Sequence, residues 1–183
     1  GQNRSHFKSI AIWETGGDGQ NSRTAGWLTN SLEKLYSTDQ IVAHGASLEG
    51  SLGLFARGSG VYISMARLNQ LSGLNASDSQ TSMNALMKKI IKKKTDLSFA
   101  SKQISQKLSN FPASKLPSRM PYGNFSAQLT DTLRIIGSET AIPVMHVQHG
   151  SFDTHDGQKW QHPKLLSELT GGLASFRKNL INM

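Results

Sequence analysis

Two rhythms of apolar residues alternate along this chain, one at helical spacing and one in short β-branched runs. His6 to Thr15 (HFKSIAIWET) carries apolar positions at helical spacing, and the glycines of Gly16-Gly-Asp-Gly19 stop whatever forms there. Trp27 to Tyr36, with Leu28, Leu32 and Leu35 at i, i+4 and i+7, predicts an amphipathic helix. Ile41 to Leu48 predicts a short strand. Leu52 to Phe55 and Val61 to Met65 predict extended segments on either side of Arg57-Gly-Ser-Gly60. From Ser77 to about Asn110 the pattern turns helical. Asp78 or Ser79 is the expected N-cap, and Met83, Leu86, Met87, Ile90 and Ile91 form one stripe. Pro112, Pro117 and Pro121 make Phe111 to Gly123 an irregular connection. A helix resumes over Phe125–Ile136, and Ile142 to Gln148 is apolar enough for a buried strand. Pro163 suits the first turn of a last helix, with the stripe Leu165, Leu166, Leu169, Leu173, Phe176 and Leu180. Strand, loop and helix in succession are the grammar of an α/β sheet, so the expectation is one α/β domain over residues 1–183.

Composition narrows the choice of function. The 183 residues suffice for one core, and 37% apolar content describes a folded chain. No apolar run approaches the roughly 18 residues that cross a bilayer. Gly1-Gln-Asn-Arg-Ser5 has no apolar stretch behind its charge, so no signal peptide is read. With no cysteine, thiolate metal sites, disulfides and a cysteine nucleophile are excluded. The net charge of +8 is uneven: five lysines lie in Lys88-Lys-Ile-Ile-Lys-Lys-Lys94, and Lys102, Lys107 and Lys115 follow. Such a stripe either grips a phosphate backbone or anionic surface, or is a solvated helix face with Ile90 and Ile91 turned inward. The second reading is preferred. No aromatic residue interleaves with those lysines, so a base-stacking platform is not expected.

The chemistry concentrates elsewhere. Four of the six histidines fall in His146–His162 (HVQHGSFDTHDGQKWQH), among Asp153, Thr154 and Asp156. Imidazole and carboxylate hold Zn²⁺, Mn²⁺ or Fe²⁺ and move protons near neutral pH. Gly150 breaks the strand before this cluster, which places it at a strand's end, where α/β sheets bind ligands. Asp153 and His155 are two apart and project to one side of an extended segment, while Thr154 points the other way or caps the turn. His162 at the helix start is a possible third ligand. His149 and His146 alternate with apolar residues along the strand and read as structural, as does His44 in Ala-His-Gly-Ala. Ser151 lies four residues from His155 without any mark of a nucleophile, and neither a G-x-S-x-G elbow nor a P-loop is present.

Ser151-Phe-Asp-Thr-His-Asp-Gly-Gln158, followed by His162, Leu165-Leu166 and Leu169, resembles a large bacterial family, domain-of-unknown-function family 1501. Its motif there runs G-[FW]-D-T-H-x-x-Q and then H-x-x-L-L-x-x-L, with Ser151 standing where the family usually has glycine. Arg4-Ser-His-Phe7, Trp13-x-Thr15-Gly16, Gly26-Trp-Leu28 and Phe125-x-x-Gln128-Leu129 resemble further signatures, so the likeness runs over nearly the whole chain.

The resemblance implies a partial alkaline-phosphatase-like sheet with flanking helices and a metal-dependent phosphate or sulfate ester hydrolase. It also implies export to the periplasm or beyond. By that likeness Asp153 and His155 are metal ligands, His6 a site residue brought in from afar, and Arg4 a contact to an anionic substrate. The implied cofactor is a divalent metal, Zn²⁺, Mn²⁺ or Ca²⁺. Family members begin with a strand and an R-G-G-x-D-G-L segment and continue into S-E-F-G-R and T-D-H-G segments. Neither end is present here, so the expectation is a central, incomplete domain. Two other readings compete. One is a non-catalytic envelope or surface protein that keeps the metal site for binding. The other is a basic module that binds polyanions through Lys88–Lys94.

Overall fold

Three short parallel strands hold the centre of the computed structural model, which describes residues 5–18, 24–65 and 85–183. β1 (Gly45–Ser47) lies between β2 (Tyr62–Ser64) and β3 (Met145–His146), in the order β2-β1-β3. Ala46 stands opposite Ile63 on one side and Met145 on the other. Around this sheet lie α1 (His6–Thr15), α2 (Trp27–Leu35), α3 (Ala85–Ser109), α4 (Asn124–Gly137) and α5 (Gln158–Asn182). The core joins Ala43, Ala46, Leu48 and Ile63 of the sheet region to Ala100, Ile104 and Leu108 of α3 and Ile135 of α4.

The expected α/β fold with a partial alkaline-phosphatase-like sheet is overturned. Among the described residues, 57% are helical and 5% are strand. The apolar runs are present, but only short stretches of them are regular strand. Leu52 to Phe55, expected to be extended, closes into a 3-10 turn (Gly53–Phe55), because the Phe55 N–H bonds to the Leu52 carbonyl at 2.7 Å. Regular strand in Ile41–Leu48 is confined to three residues and in Ile142–Gln148 to two, although the Val42, Ala46 and Leu48 N–H groups bond to the Ala141, Val144 and His146 carbonyls. Past His146 a side chain supplies the pairing. Gln128 of α4 donates from Nε2 to the Gln148 carbonyl at 3.0 Å and accepts from the Gln148 N–H at Oε1, 2.8 Å away.

Other expectations are corrected by how the helices seat. In α2 the buried residues are Thr29 and Leu32, whereas Leu35 is 70% exposed. α5 begins at Gln158, so Pro163 lies inside the helix rather than in its first turn. Leu166, Leu173 and Leu180 of its expected stripe face solvent, and the buried positions are Gly172 and Asn179. Gly172 sits against Phe125 and Leu129 of α4, and the Asn179 Oδ1 accepts from the Ser118 N–H at 2.8 Å. Ile90 of α3 is not turned inward: it is exposed. The expected caps Asp78 and Ser79, and Met83, lie outside the described residues.

A polar clamp ties α2 to β2. Glu33 accepts from the Gly60 N–H at 2.9 Å, from the Ser59 hydroxyl, and from the Tyr62 hydroxyl, which it shares with the Thr29 carbonyl. Burial pushes the Glu33 carboxyl up, but hydrogen bonds from Gly60, Ser59 and Tyr62 outweigh it and hold the group below its ordinary value. A depressed carboxyl stabilises the fold above its unfolded pKa and loses that contribution as pH falls through the folded one. Urea titrations of Glu33→Gln against the parent chain should therefore show a stability gap at neutral pH that closes in acid. A gap that widens in acid would contradict the clamp.

Candidate metal centre

The loop from His149 to Gly157 is held in place by a run of rings. His149 stacks on Phe125 of α4 at 4.9 Å between centroids, Phe152 meets His149 edge-on at 5.1 Å, and His162 of α5 meets Phe152 at 5.9 Å. The His149 Nε2–H donates to the Leu165 carbonyl at 3.0 Å, and the His162 Nε2–H to the Phe152 carbonyl at 3.3 Å. Both hydrogen bonds fix a tautomer, because a carbonyl can only accept. Ser151 turns the chain through φ 70°, a left-handed conformation that favours glycine. Thr154 is buried, while Asp153 and His155 on either side of it are exposed. The anchored loop thus presents a carboxylate and an imidazole to solvent.

His6 reaches the same place from the opposite end of the chain. It opens α1, whose C-terminus is closed by Gly16 at φ 69°, by its N–H to the Ile12 carbonyl at 2.8 Å, and by the Thr15 hydroxyl on the Ala11 carbonyl. α1 packs on the Gly53–Phe55 turn, as does α2. Gly26, just before α2, comes so close to that turn that a Cβ there would lie 2.0 Å from the Leu54 carbonyl oxygen. α1 brings His6, its first residue, to the loop. One ligand atom each of His6, Asp153 and His155 falls within 4.8 Å of the others. The His155 Nε2 and Asp153 Oδ1 are 2.6 Å apart, with side chains 79% and 62% exposed.

Neither a known family's sequence profile, nor a curated protein, nor a solved structure matches this chain.

The structure separates the candidate residues into groups. His6, Asp153 and His155 come together; His162 does not join them and instead braces Phe152. Arg4 lies outside the described residues. His44 is buried and accepts the Val61 N–H at Nδ1, 3.2 Å away. His146 has its Nδ1 3.4 Å from Glu49 Oε1 and 3.5 Å from the Ser47 hydroxyl. Glu49 escaped the sequence reading because only topology places it, just past the end of β1. It helps line a cavity of about 310 Å³ at the carboxyl ends of β1 and β3, with Gln128, His149, Gly150, Ser151 and Glu168.

Two imidazoles and one carboxylate form the donor set of many catalytic Zn²⁺ and Fe²⁺ sites, which leave the remaining positions to water or substrate. A tetrahedral ion with bonds of about 2.0–2.1 Å separates its ligand atoms by about 3.4 Å. The exposed Asp153–His155 pair would open from its 2.6 Å contact to take such an ion. Ca²⁺, which takes six to eight oxygens, fits this donor set poorly. Among the described residues no helix is long and apolar enough to cross a membrane.

Proposed function

We propose that this chain binds a divalent transition metal, Zn²⁺ or Mn²⁺, through His6, Asp153 and His155. The observation that carries the reading is the meeting of two imidazoles and a carboxylate from opposite ends of the chain within 4.8 Å. The proposed role of the metal is to activate a water or polarise an ester oxygen in the hydrolysis of a phosphate or sulfate ester. That second step, and export to the periplasm or beyond, rest on the resemblance of short motifs alone. A non-catalytic reading has one observation in its favour. The cavity beside the loop carries Glu49 and Glu168, which repel an anionic ester more readily than they hold it.

The test is thermal unfolding with Zn²⁺, Mn²⁺ and Ca²⁺, run on the parent chain and on Asp153→Ala and His155→Ala. At a hundredfold excess over Kd, binding adds about 2.7 kcal/mol, or roughly 5–10 °C in midpoint for a chain of this size. The rise is expected with Zn²⁺ or Mn²⁺, not with Ca²⁺, and is expected to vanish in both variants. Metal-dependent turnover of p-nitrophenyl phosphate or sulfate would support hydrolysis, and binding without turnover the second reading. An unchanged midpoint with every metal would reject the site.

A further inference from the structure

We propose that the first three turns of α3 form an amphipathic helix that binds the surface of an anionic lipid bilayer. The buried residues of α3, Ala100, Ser101, Ile104 and Leu108, all lie in its second half. The same helical face continues towards the N-terminus through Leu97, which packs against the core, to Ile90 and Leu86, which are exposed. Leu86 is 66% exposed, Ile90 54% and Met87 46%. At about 100° per residue, Leu86, Ile90, Met87 and Ile91 span a sector of about 140°. Lys88, Lys92 and Lys89 fill an opposite sector of about 100°, and Lys93 beyond them donates to the Gly58 carbonyl. Lys94 falls within the apolar sector, on a stem long enough to carry its ammonium out of it.

The charge is one-sided. Residues 85–95 hold five lysines and no carboxylate, the first acidic residue being Asp96. Phosphate groups at the surface of an anionic bilayer complement that charge, and the acyl boundary takes the apolar sector. A nucleic acid would use the lysines but leave Leu86, Met87 and Ile90 in water, and no aromatic residue lies among residues 85–98 to stack on bases. The mode is to lie on the membrane rather than cross it, in keeping with the absence of a spanning helix among the described residues.

The experiment is co-sedimentation of the full chain with phosphatidylcholine vesicles, with and without phosphatidylglycerol, at low and high salt. Binding is expected only with phosphatidylglycerol, and it should weaken as salt rises. Lys88→Gln/Lys89→Gln/Lys92→Gln should weaken it on the order of a hundredfold. Leu86→Gln/Ile90→Gln should weaken it about tenfold, with the unfolding midpoint unchanged because both side chains are exposed. Three results would overturn the proposal: no sedimentation with phosphatidylglycerol vesicles, vesicle binding indifferent to Leu86 and Ile90, or tighter binding to double-stranded DNA than to vesicles.

Discussion

Phe55→Ala is expected to lower the unfolding free energy by about 3–5 kcal/mol, the usual cost of emptying a fully buried aromatic site. Phe55 is inaccessible to solvent, its ring stacks on Tyr62 at 5.6 Å, and a Cβ on Gly45 of β1 would lie 2.6 Å from it. The consequence reaches beyond stability, because the turn that carries Phe55 is also the seat of α1 and α2. α1 itself contributes no buried residue, so its position depends on that seat. Chemical denaturation should report the loss of stability. A parallel Zn²⁺ titration should show weaker binding in Phe55→Ala, although the residue belongs to a different part of the fold from the ligands. A loss below about 1 kcal/mol would mean that the turn repacks and that Phe55 does not organise the sheet.

Gln128→Leu is expected to cost about 2–4 kcal/mol while keeping nearly the same side-chain volume. The substitution removes two hydrogen bonds and leaves both the N–H and the carbonyl of Gln148 without their partner. Gln148 lies two residues before Gly150, so the same change loosens the base of the loop that carries Asp153 and His155. Gln128→Glu is a useful companion, since its carboxylate can still accept from the Gln148 N–H but cannot donate to the carbonyl. At neutral pH its cost should be at least that of the leucine variant, because the charged oxygen would face the Gln148 carbonyl in a buried site. If leucine proved neutral, water would be serving Gln148 as well as the glutamine does.

The helices were legible in the sequence because their signals are local. Gly16 ends α1 and the prolines isolate residues 111–123 from α3 and α4, and each of these depends on a residue's own backbone preference. The strands are shorter than the apolar runs that predict them for a matching reason. Apolar β-branched runs show that a segment is buried, not that it finds partners along its whole length, and here Gln128 supplies what a strand would. The exposure of Ile90 was likewise illegible, since periodicity gives a helix's apolar face but not how far its neighbours extend along it.

Within the site, the D-x-H pair could be read from alternation alone, with Thr154 buried between two exposed side chains. The place of His6 could not, because nothing in its own segment points to residues 153–155. His162, the third imidazole-bearing candidate beside His6 and His155, has its ring engaged with Phe152. The motif residues Gly26, Phe125 and Gln128 have packing roles that answer for their identities without any ligand.

X-ray absorption at the zinc edge tests the central claim most directly, measured on the Zn²⁺-loaded parent chain and on His6→Ala. The account predicts a first shell of nitrogen and oxygen at about 2.0–2.2 Å with the multiple-scattering signature of two imidazoles, falling to one in the variant. A first shell unchanged by the loss of His6, or one without imidazole, would contradict it.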